Sequence, residues 1–255
     1  MKGLGTSTDT VAGLRAAEES TEQLLTALSG ANMVFLAASL GGGTGTGAAP
    51  FIGRLLKSKG ILTVAVVTYP FLWYGAVGRR IAKLGLKDLR SSVDAIIVVP
   101  NGSLIKAVPS GASYAEAFAS GDDVLVRAVQ AISYITQKTG GSISFGDIRS
   151  VLSEKGEAFI SAVEGTNGLQ AAKSIVHNPL QEHASLHKAK DVIISITGGP
   201  GFSLSEMEET ANYIHSTLPS FANVIFGAQI DNELQNKVRV SVIATGLDIF
   251  KEGSL

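Results

Sequence analysis

The chain has 255 residues, of which 45% are hydrophobic and 17% are charged. This composition can bury a sizeable core and excludes an intrinsically disordered protein. The 21 basic and 22 acidic residues leave a net charge of -1, which argues against a partner recruited through a basic surface, nucleic acid above all. The chain contains no cysteine, so disulfides, thiolate nucleophiles and thiolate metal sites are excluded.

The hydropathy pattern argues against direct insertion into a membrane. No run approaches the ~20 consecutive apolar residues that span a bilayer. The first ten residues contain no apolar segment of the kind that signal peptides carry. We therefore expect a soluble protein of the cell interior.

The first part of the chain alternates helical patterns with apolar runs of strand length. Helices are predicted over residues 10–29, 46–58 and 78–89, and buried strands over 33–38, 61–68 and 93–99. Strands and helices that alternate with short connections are typical of a parallel, doubly wound α/β sheet.

A helical pattern of about 26 residues follows over 113–138, and we expect a helix of this length to cross between two bodies. After a turn at 139–141, strands are predicted at 158–163, 192–197, 224–229 and 238–244, with helices at 168–176 and 204–217. No helix fits between the last two strands, so we predict that they are antiparallel. The predicted fold is α/β: a doubly wound domain over 1–112, a core helix over 113–138, and a second α/β domain with a mixed sheet over 139–255.

The most informative segment is the glycine cluster at 41–47, with five glycines in seven positions between a predicted strand and a predicted helix. Glycines at this point let backbone N–H groups turn inward, and the helix N-terminus adds partial positive charge. Thr44 and Thr46 can add hydroxyl groups. The simpler interpretation is a tight turn, but a turn needs only one or two glycines. We therefore predict a phosphate-binding loop.

Two common phosphate-binding motifs fit this loop poorly. A P-loop needs a lysine, and none occurs between Met33 and Leu56. A dinucleotide fingerprint is met by Gly43, Gly45 and Ala48, but the next strand lacks the acidic residue that would bind the ribose. A nicotinamide-dependent oxidoreductase is therefore the weaker hypothesis.

The segment GGGTGTGAAP at 41–50 resembles the signature of the tubulin and FtsZ superfamily. The similarity to bacterial FtsZ sequences extends over residues 3–247. The further segments that resemble them lie at 30–39, 60–71, 93–108, 112–132, 145–160 and 238–247. The resemblance implies a GTP-binding protein, with GTP or GDP and Mg2+, that assembles head to tail and hydrolyses GTP between subunits. It also implies that the partners are other copies, full-length FtsZ-like subunits and division-ring proteins, and that the location is the cytoplasm at the division site.

The resemblance assigns roles to particular residues of this chain. It implies that the phosphates are held by the loop residues Gly42, Gly43, Thr44, Gly45 and Thr46, with residues 5–8 near the γ-phosphate. Asn101 would contact the nucleoside. Phe118 would stack on the base, although core packing explains this residue about as well, and Asp122 would recognise guanine. Asp147 would polarise the attacking water, and the alternative interpretation is an acid that stabilises a helix N-terminus.

Departures from the family pattern leave a second hypothesis open. Tyr74 and Gly78 stand where the family has a glutamate and an arginine, and Ser142 and Ser144 stand where it has an asparagine and an aspartate. The chain also begins at the loop near the γ-phosphate, so we expect the sheet to lack the family's opening strand, glycine loop and first helix. The alternative is a catalytically impaired homologue that co-assembles with full-length filaments or caps them.

Overall fold

The computed structural model describes residues 5–136, 142–153, 155–181 and 186–247. Its strands are β1 (Met33–Ser39), β2 (Leu62–Tyr69), β3 (Ala95–Pro100), β4 (Gly156–Gly165), β5 (Asp191–Gly198), β6 (Asn223–Ile230) and β7 (Val238–Thr245). Its helices are α1 (Thr10–Glu19), α2 (Thr21–Ala27), α3 (Gly43–Ser58), α4 (Ala76–Ser92), α5 (Asn101–Ala107), α6 (Tyr114–Thr136), α7 (Phe145–Leu152), α8 (Gly168–Val176) and α9 (Leu204–Ser216). The α/β class predicted from the sequence is confirmed.

The strands form one mixed sheet in the order β1-β2-β3-β4-β7-β5-β6. Strands β1 to β3 are parallel, and their apolar side chains face helices on both sides, which explains their nearly continuous hydrophobic sequences. In the second half, β7 runs antiparallel to both β4 and β5, whereas β5 and β6 are parallel. The predicted doubly wound half and mixed half are both present.

The two halves of the sheet meet at a short joint between β3 and β4. These strands share only two residue pairs, Ala95 with Gly156 and Ile96 with Glu157. Just before β3, the buried Asp94 accepts a hydrogen bond from the Thr63 N–H at 2.8 Å through its carboxylate. Helix α6 packs along this joint, because its buried face belongs to the same apolar core as β2, β3 and β4.

Two details differ from the sequence prediction, and a third lies outside the described residues. The helix predicted over 10–29 is two helices separated at Ser20, beside Thr21, whose hydroxyl bonds the Glu18 carbonyl and so competes with helical hydrogen bonding. Strands β6 and β7 do run in opposite directions, but β5 lies between them. Helix α6 is described to Thr136, and the predicted end of the helix at 138 and the turn at 139–141 lie outside the described residues.

Strand β1 forms one edge of the sheet within the described residues, and its side chains are mostly half-buried. The described helices include none that is both long enough and apolar enough to cross a membrane.

Helix α3 packs against α1 at unusually short range, and glycines make this possible. A Cβ on Gly13 of α1 would lie 2.1 Å from the Gly43 carbonyl oxygen, and a Cβ on Gly47 would lie 2.1 Å from the Thr10 carbonyl oxygen. Real Cβ atoms do not approach backbone oxygen this closely. The two helix backbones are therefore in direct contact, and this contact holds the start of α3 in place.

We expect Gly13→Ala to destabilise the protein, because its methyl group would force α1 away from α3. Overpacking of this kind costs about 1–3 kcal/mol, and each kcal/mol lowers the Tm of a chain of this size by about 2–4 °C. The matched control is Gly102→Ala, also in a helix, where a Cβ meets no atom within 4 Å. Thermal unfolding should show a lower Tm for the first variant only. A Tm at or above that of the wild type for Gly13→Ala would contradict this packing.

Candidate functional site

The predicted binding residues lie together at the carboxyl ends of the parallel strands β1, β2 and β3. The glycine loop follows β1, the segment Phe71–Tyr74 follows β2, and Asn101 follows β3. Because neighbouring parallel strands finish at the same edge, these three segments lie side by side. The crevice at the carboxyl ends of the strands is where open α/β sheets bind ligands.

The glycine loop turns directly into α3. Gly41 has a φ of +105°, a conformation that favours glycine, and its N–H donates to the buried Thr46 hydroxyl at 2.9 Å. The helix begins at Gly43, three residues earlier than predicted, and the Gly43 N–H donates to the Ser7 carbonyl at 2.7 Å. The N–H groups of Thr44 and Gly45 have no partner among the described residues. They are the donors left for a ligand at this helix N-terminus.

Several loop glycines have a packing role that the sequence did not reveal. A Cβ on Gly45 would lie 2.2 Å from the Ser39 carbonyl oxygen, and a Cβ on Gly43 would lie 2.4 Å from the Asp9 carbonyl oxygen. By contrast, a Cβ on Gly42 would find its nearest neighbour, the Ser7 carbonyl oxygen, at 3.7 Å. The density of glycines therefore reflects close backbone packing as well as any ligand.

The two threonines of the loop are placed differently. Thr46 is buried, and its methyl group fills the space beside Gly85 of α4, where a Cβ would lie only 2.1 Å away. Its hydroxyl holds the loop closed at Gly41. Thr44 is exposed, and its hydroxyl lies 2.8 Å from that of Thr6. The turn at 6–9 thus lies over the start of α3, where the sequence comparison had placed residues 5–8.

Aromatic rings from the segment after β2 and from the start of α6 form a continuous row. Phe71 and Trp73 stack with ring centroids 4.8 Å apart, Phe71 meets Phe118 edge-on at 6.1 Å, and Phe118 meets Tyr114 at 4.3 Å. Phe118 is half-buried, whereas Trp73 and Tyr114 are 73% and 75% exposed. The sequence had singled out Phe118 alone. The run of aromatic residues directly after β2 is the signal that could have indicated the rest.

Asp122 lies one helical turn beyond Phe118 on α6 and is exposed. Its carboxylate has no hydrogen-bond or ion-pair partner within the described part of the chain, whereas its neighbour Asp123 is paired with Arg127. The spacing of four residues puts Phe118 and Asp122 on the same helical face. An aromatic ring and a free carboxylate are therefore presented together.

Two buried polar atoms at this edge lack a partner. The Oδ1 atom of Asn101 is buried and accepts no hydrogen bond from the described residues, and neither does the Nε of Arg79 donate one. Burial raises the pKa of the Tyr69 hydroxyl, and the cation of Arg79 beside it offsets part of that increase. Buried polar groups are nearly always satisfied in proteins, so these two atoms require a partner from outside the described residues, either water or a bound ligand.

Tyr74 and Gly78 lie in direct contact. A Cβ on Gly78 would lie 2.5 Å from the Tyr74 ring, and a Cβ on Gly41 would lie 3.4 Å from the same ring. Tyr74 therefore packs between the start of the glycine loop and the first turn of α4. The Tyr74 ring occupies the space that a side chain at Gly78 would need.

Asp147 and Ser144 cap helix α7. The Asp147 carboxylate accepts from the Ser144 N–H and from the Ser144 hydroxyl, both at 2.7 Å, and the Asp147 N–H donates back to the Ser144 oxygen. The two hydrogen bonds to the carboxylate, that of the hydroxyl first, hold the pKa of Asp147 below its ordinary value. Asp147 therefore stays ionised at neutral pH, and the capping interpretation weighed for it in the sequence applies.

Helix α7 lies at the amino ends of the parallel strands, whereas the glycine loop lies at their carboxyl ends. Arg149 donates to the carbonyl oxygens of Gly60 and Asn32, at 3.3 and 3.4 Å. These two residues precede β2 and β1. Asp147, two residues before Arg149, is consequently separated from the loop by the length of the strands, about 20 Å for the seven residues of β1.

The residues at the loop fit a magnesium ion only as part of a bound nucleotide. The described residues contain no group of three acidic or histidine side chains that could enclose a metal. The hydroxyls of Thr6 and Thr44 supply neutral oxygen atoms at the helix N-terminus. Mg2+ commonly keeps several waters and takes its remaining ligands from substrate phosphates, which matches this donor set.

Two family models match the sequence. Residues 1–109 match the model described as "Tubulin/FtsZ family, GTPase domain", and residues 156–248 match "FtsZ family, C-terminal domain". The boundary between them falls in the region of α6 and α7.

Individual relatives agree with these matches. The chain is 42% identical over 251 residues to "Cell division protein FtsZ" of Caulobacter vibrioides and 40% identical over 255 residues to that of Rickettsia typhi. These alignments include 97% and 98% of this chain but only 49% and 56% of the relatives, so the chain spans about half their length. The structure "FtsZ dimer, empty" of M. jannaschii matches at a TM-score of 0.81 and 35% identity, over 97% of this chain and 73% of that one. The chain belongs to the tubulin/FtsZ family.

Proposed function

We propose that the chain binds GTP or GDP at the carboxyl ends of β1, β2 and β3. The observation on which this rests is the set of unsatisfied groups at that edge: the free N–H groups of Thr44 and Gly45 at the start of α3, the buried Oδ1 of Asn101, and the unpaired carboxylate of Asp122. Each belongs to a different element, yet all lie along one edge of the sheet. A nucleotide is a ligand long enough to satisfy them together.

The phosphates are held by the loop. The N-terminus of α3 carries about half a unit of positive charge and directs its free N–H groups outward, so it favours an anion. A Cβ on Gly42 would make only ordinary contact, at 3.7 Å from the Ser7 carbonyl oxygen, and the hydroxyls of Thr6 and Thr44 lie together at the start of α3. Mg2+, when bound, neutralises phosphate charge. The chain's own contribution is a row of neutral donors at fixed positions.

The base is selected by Phe118 and Asp122. Phe118 offers a ring for stacking, and neighbouring rings hold it in place: Phe71 edge-on at 6.1 Å and Tyr114 at 4.3 Å. The Asp122 carboxylate can only accept hydrogen bonds, and guanine presents N1–H and an amino group on the edge that would face it. Adenine presents an acceptor at N1 instead and would be repelled. The pair therefore favours guanine.

Hydrolysis requires a second subunit. Asp147 lies about 20 Å from the glycine loop of its own chain, across the seven residues of β1, and cannot reach a phosphate bound there. In a head-to-tail pair, the α7 edge of one subunit faces the loop edge of the next. Asp147 of the first would then orient water at the γ-phosphate held by the second.

A second candidate function is a partner with weakened hydrolysis, which co-assembles with full-length FtsZ subunits or caps them. The observation that favours it is the capping box, because Ser144 occupies one oxygen of Asp147 with two hydrogen bonds. Ser142 and Ser144 also carry no charge that could assist. In both cases we propose the cytoplasm at the division site as the location, together with other division-ring proteins.

The glycine loop can be tested with Gly42→Ala. The new methyl group would meet no protein atom closer than 3.7 Å, so the fold should tolerate it, but it would enter the space proposed for phosphate. Gly43→Ala and Gly45→Ala are poorer tests, since both would strike backbone. We expect GTP affinity, measured by calorimetry, to fall at least tenfold, about 1.4 kcal/mol. The control is Gly201→Ala, where a Cβ also meets nothing within 4 Å. Equal GTP affinities for both variants and the wild type would contradict the proposed phosphate site.

Base choice can be tested with Asp122→Ala. We expect the wild type to prefer GTP over ATP by about 10- to 100-fold, the range that one bidentate base contact provides, and the variant to lose this preference. Asp123→Ala is the matched control, because it removes the same charge one residue away, turned by about 100° on the helix. Competition binding with both nucleotides gives the ratio. Equal competition by ATP and GTP in the wild type would rule out this assignment.

A further inference from the structure

Basic residues are concentrated in one segment of the chain, which forms most of helix α3, strand β2 and helix α4. Residues 53–92 contain eight basic residues and one acidic residue, and the other 215 residues contain 13 basic and 21 acidic ones. The net charge of -1 therefore conceals a positive segment and a negative remainder. A local basic surface exists that the total charge of the chain did not reveal.

Helix α4 presents three of these cations to solvent. Arg80, Lys83 and Lys87 are exposed, and their side chains have no ion-pair or hydrogen-bond partner within the described part of the chain. The one acidic residue of the segment, Asp88, is paired with Arg54 of α3 at 2.9 Å. The positive charge of α4 is therefore left for a partner.

The same side of α4 also exposes two large aliphatic side chains. Val77 and Leu84 are 67% and 59% exposed. They alternate with Arg80 and Lys87 at spacings of three and four residues, so all four lie on one side of the helix, opposite its buried side. This stripe is about 15 Å long. Its partner should offer negative charge and an apolar layer together.

We propose that this side of α4 binds the surface of an anionic lipid bilayer. The lipid phosphates meet Arg80, Lys83 and Lys87, while Val77 and Leu84 enter the boundary between headgroups and acyl chains. The chain then lies on the membrane and does not cross it. A nucleic acid offers phosphates but no apolar layer, and would leave both aliphatic side chains without a partner. The inference involves no nucleotide and is independent of the proposed function.

The direct test is co-sedimentation of the full chain with lipid vesicles. We expect the chain to pellet with vesicles of equimolar phosphatidylglycerol and phosphatidylcholine, and to remain in the supernatant with phosphatidylcholine alone. An increase of NaCl from about 0.05 to 0.5 M should release it, because salt screens the attraction. Equal binding to both kinds of vesicle, or binding to neither, would overturn the proposal.

The role of the cations is tested with the triple variant Arg80→Gln, Lys83→Gln, Lys87→Gln. Each cation near an anionic surface contributes about a fivefold factor in affinity, so the variant should bind at least about 20-fold more weakly. The matched control removes three exposed cations outside the segment: Lys173→Gln, Lys188→Gln, Lys237→Gln. An equal loss in the control would show that overall charge governs binding, which contradicts a site on α4.

The apolar part is tested with Val77→Ser combined with Leu84→Ser, which leaves every charge in place. We expect binding to the anionic vesicles to fall at least about fivefold, because these side chains leave water at the bilayer surface. An unchanged affinity would overturn the bilayer as the partner. Displacement of the wild type from the vesicles by a DNA oligonucleotide or polyglutamate of equal total charge would also overturn it. Circular dichroism verifies that each variant folds, which is expected because all the substituted residues are exposed.

Discussion

The close approach of helix α3 to its neighbours is the constraint on which the site depends. Gly43, Gly45 and Gly47 let the first turn of α3 lie directly on the backbones of the 6–9 turn, the end of β1, and α1. Contact of this kind leaves no room for adjustment, so the first helical N–H groups are held in fixed positions at the edge of the sheet. A preorganised row of donors can bind an anion without the cost of ordering a flexible loop.

The close contacts of these glycines also separate what the sequence could predict from what it could not. Strand length, burial and the glycine cluster are local signals, and they predicted β1, β2, β3 and the helix after the loop. The contact partners of the glycines are not local. Gly13 meets Gly43, thirty residues away, and Tyr74 packs on Gly41. Hydrophobic periodicity contains no information about such pairs, so the sequence assigned the glycines to a ligand alone.

The sequence also could not show at which ends of the strands Asp147 and the glycine loop lie. The sequence placed Asp147 at a helix start, and either a capping or a catalytic role fitted that position. The structure adds that Asp147 is capped by Ser144 and that Arg149 fixes α7 at the amino ends of β1 and β2. The glycine loop and Asp147 thus lie at opposite ends of the parallel strands. In the function proposed above, the loop of one subunit and the acid of its neighbour form one site, which corresponds to a heterologous, head-to-tail contact.

The measurement that tests this account most directly is GTP hydrolysis by a mixture of two impaired variants. Gly42→Ala retains Asp147 and has a weakened phosphate loop, whereas Asp147→Ala retains the loop and lacks the acid. If the site forms between subunits, equal amounts of the two, assembled at random, should recover up to about a quarter of the wild-type rate, because one contact in four joins two intact halves. Phosphate release from the mixture that stays at the sum of the separate variants, while wild type at the same concentration is active, would contradict it.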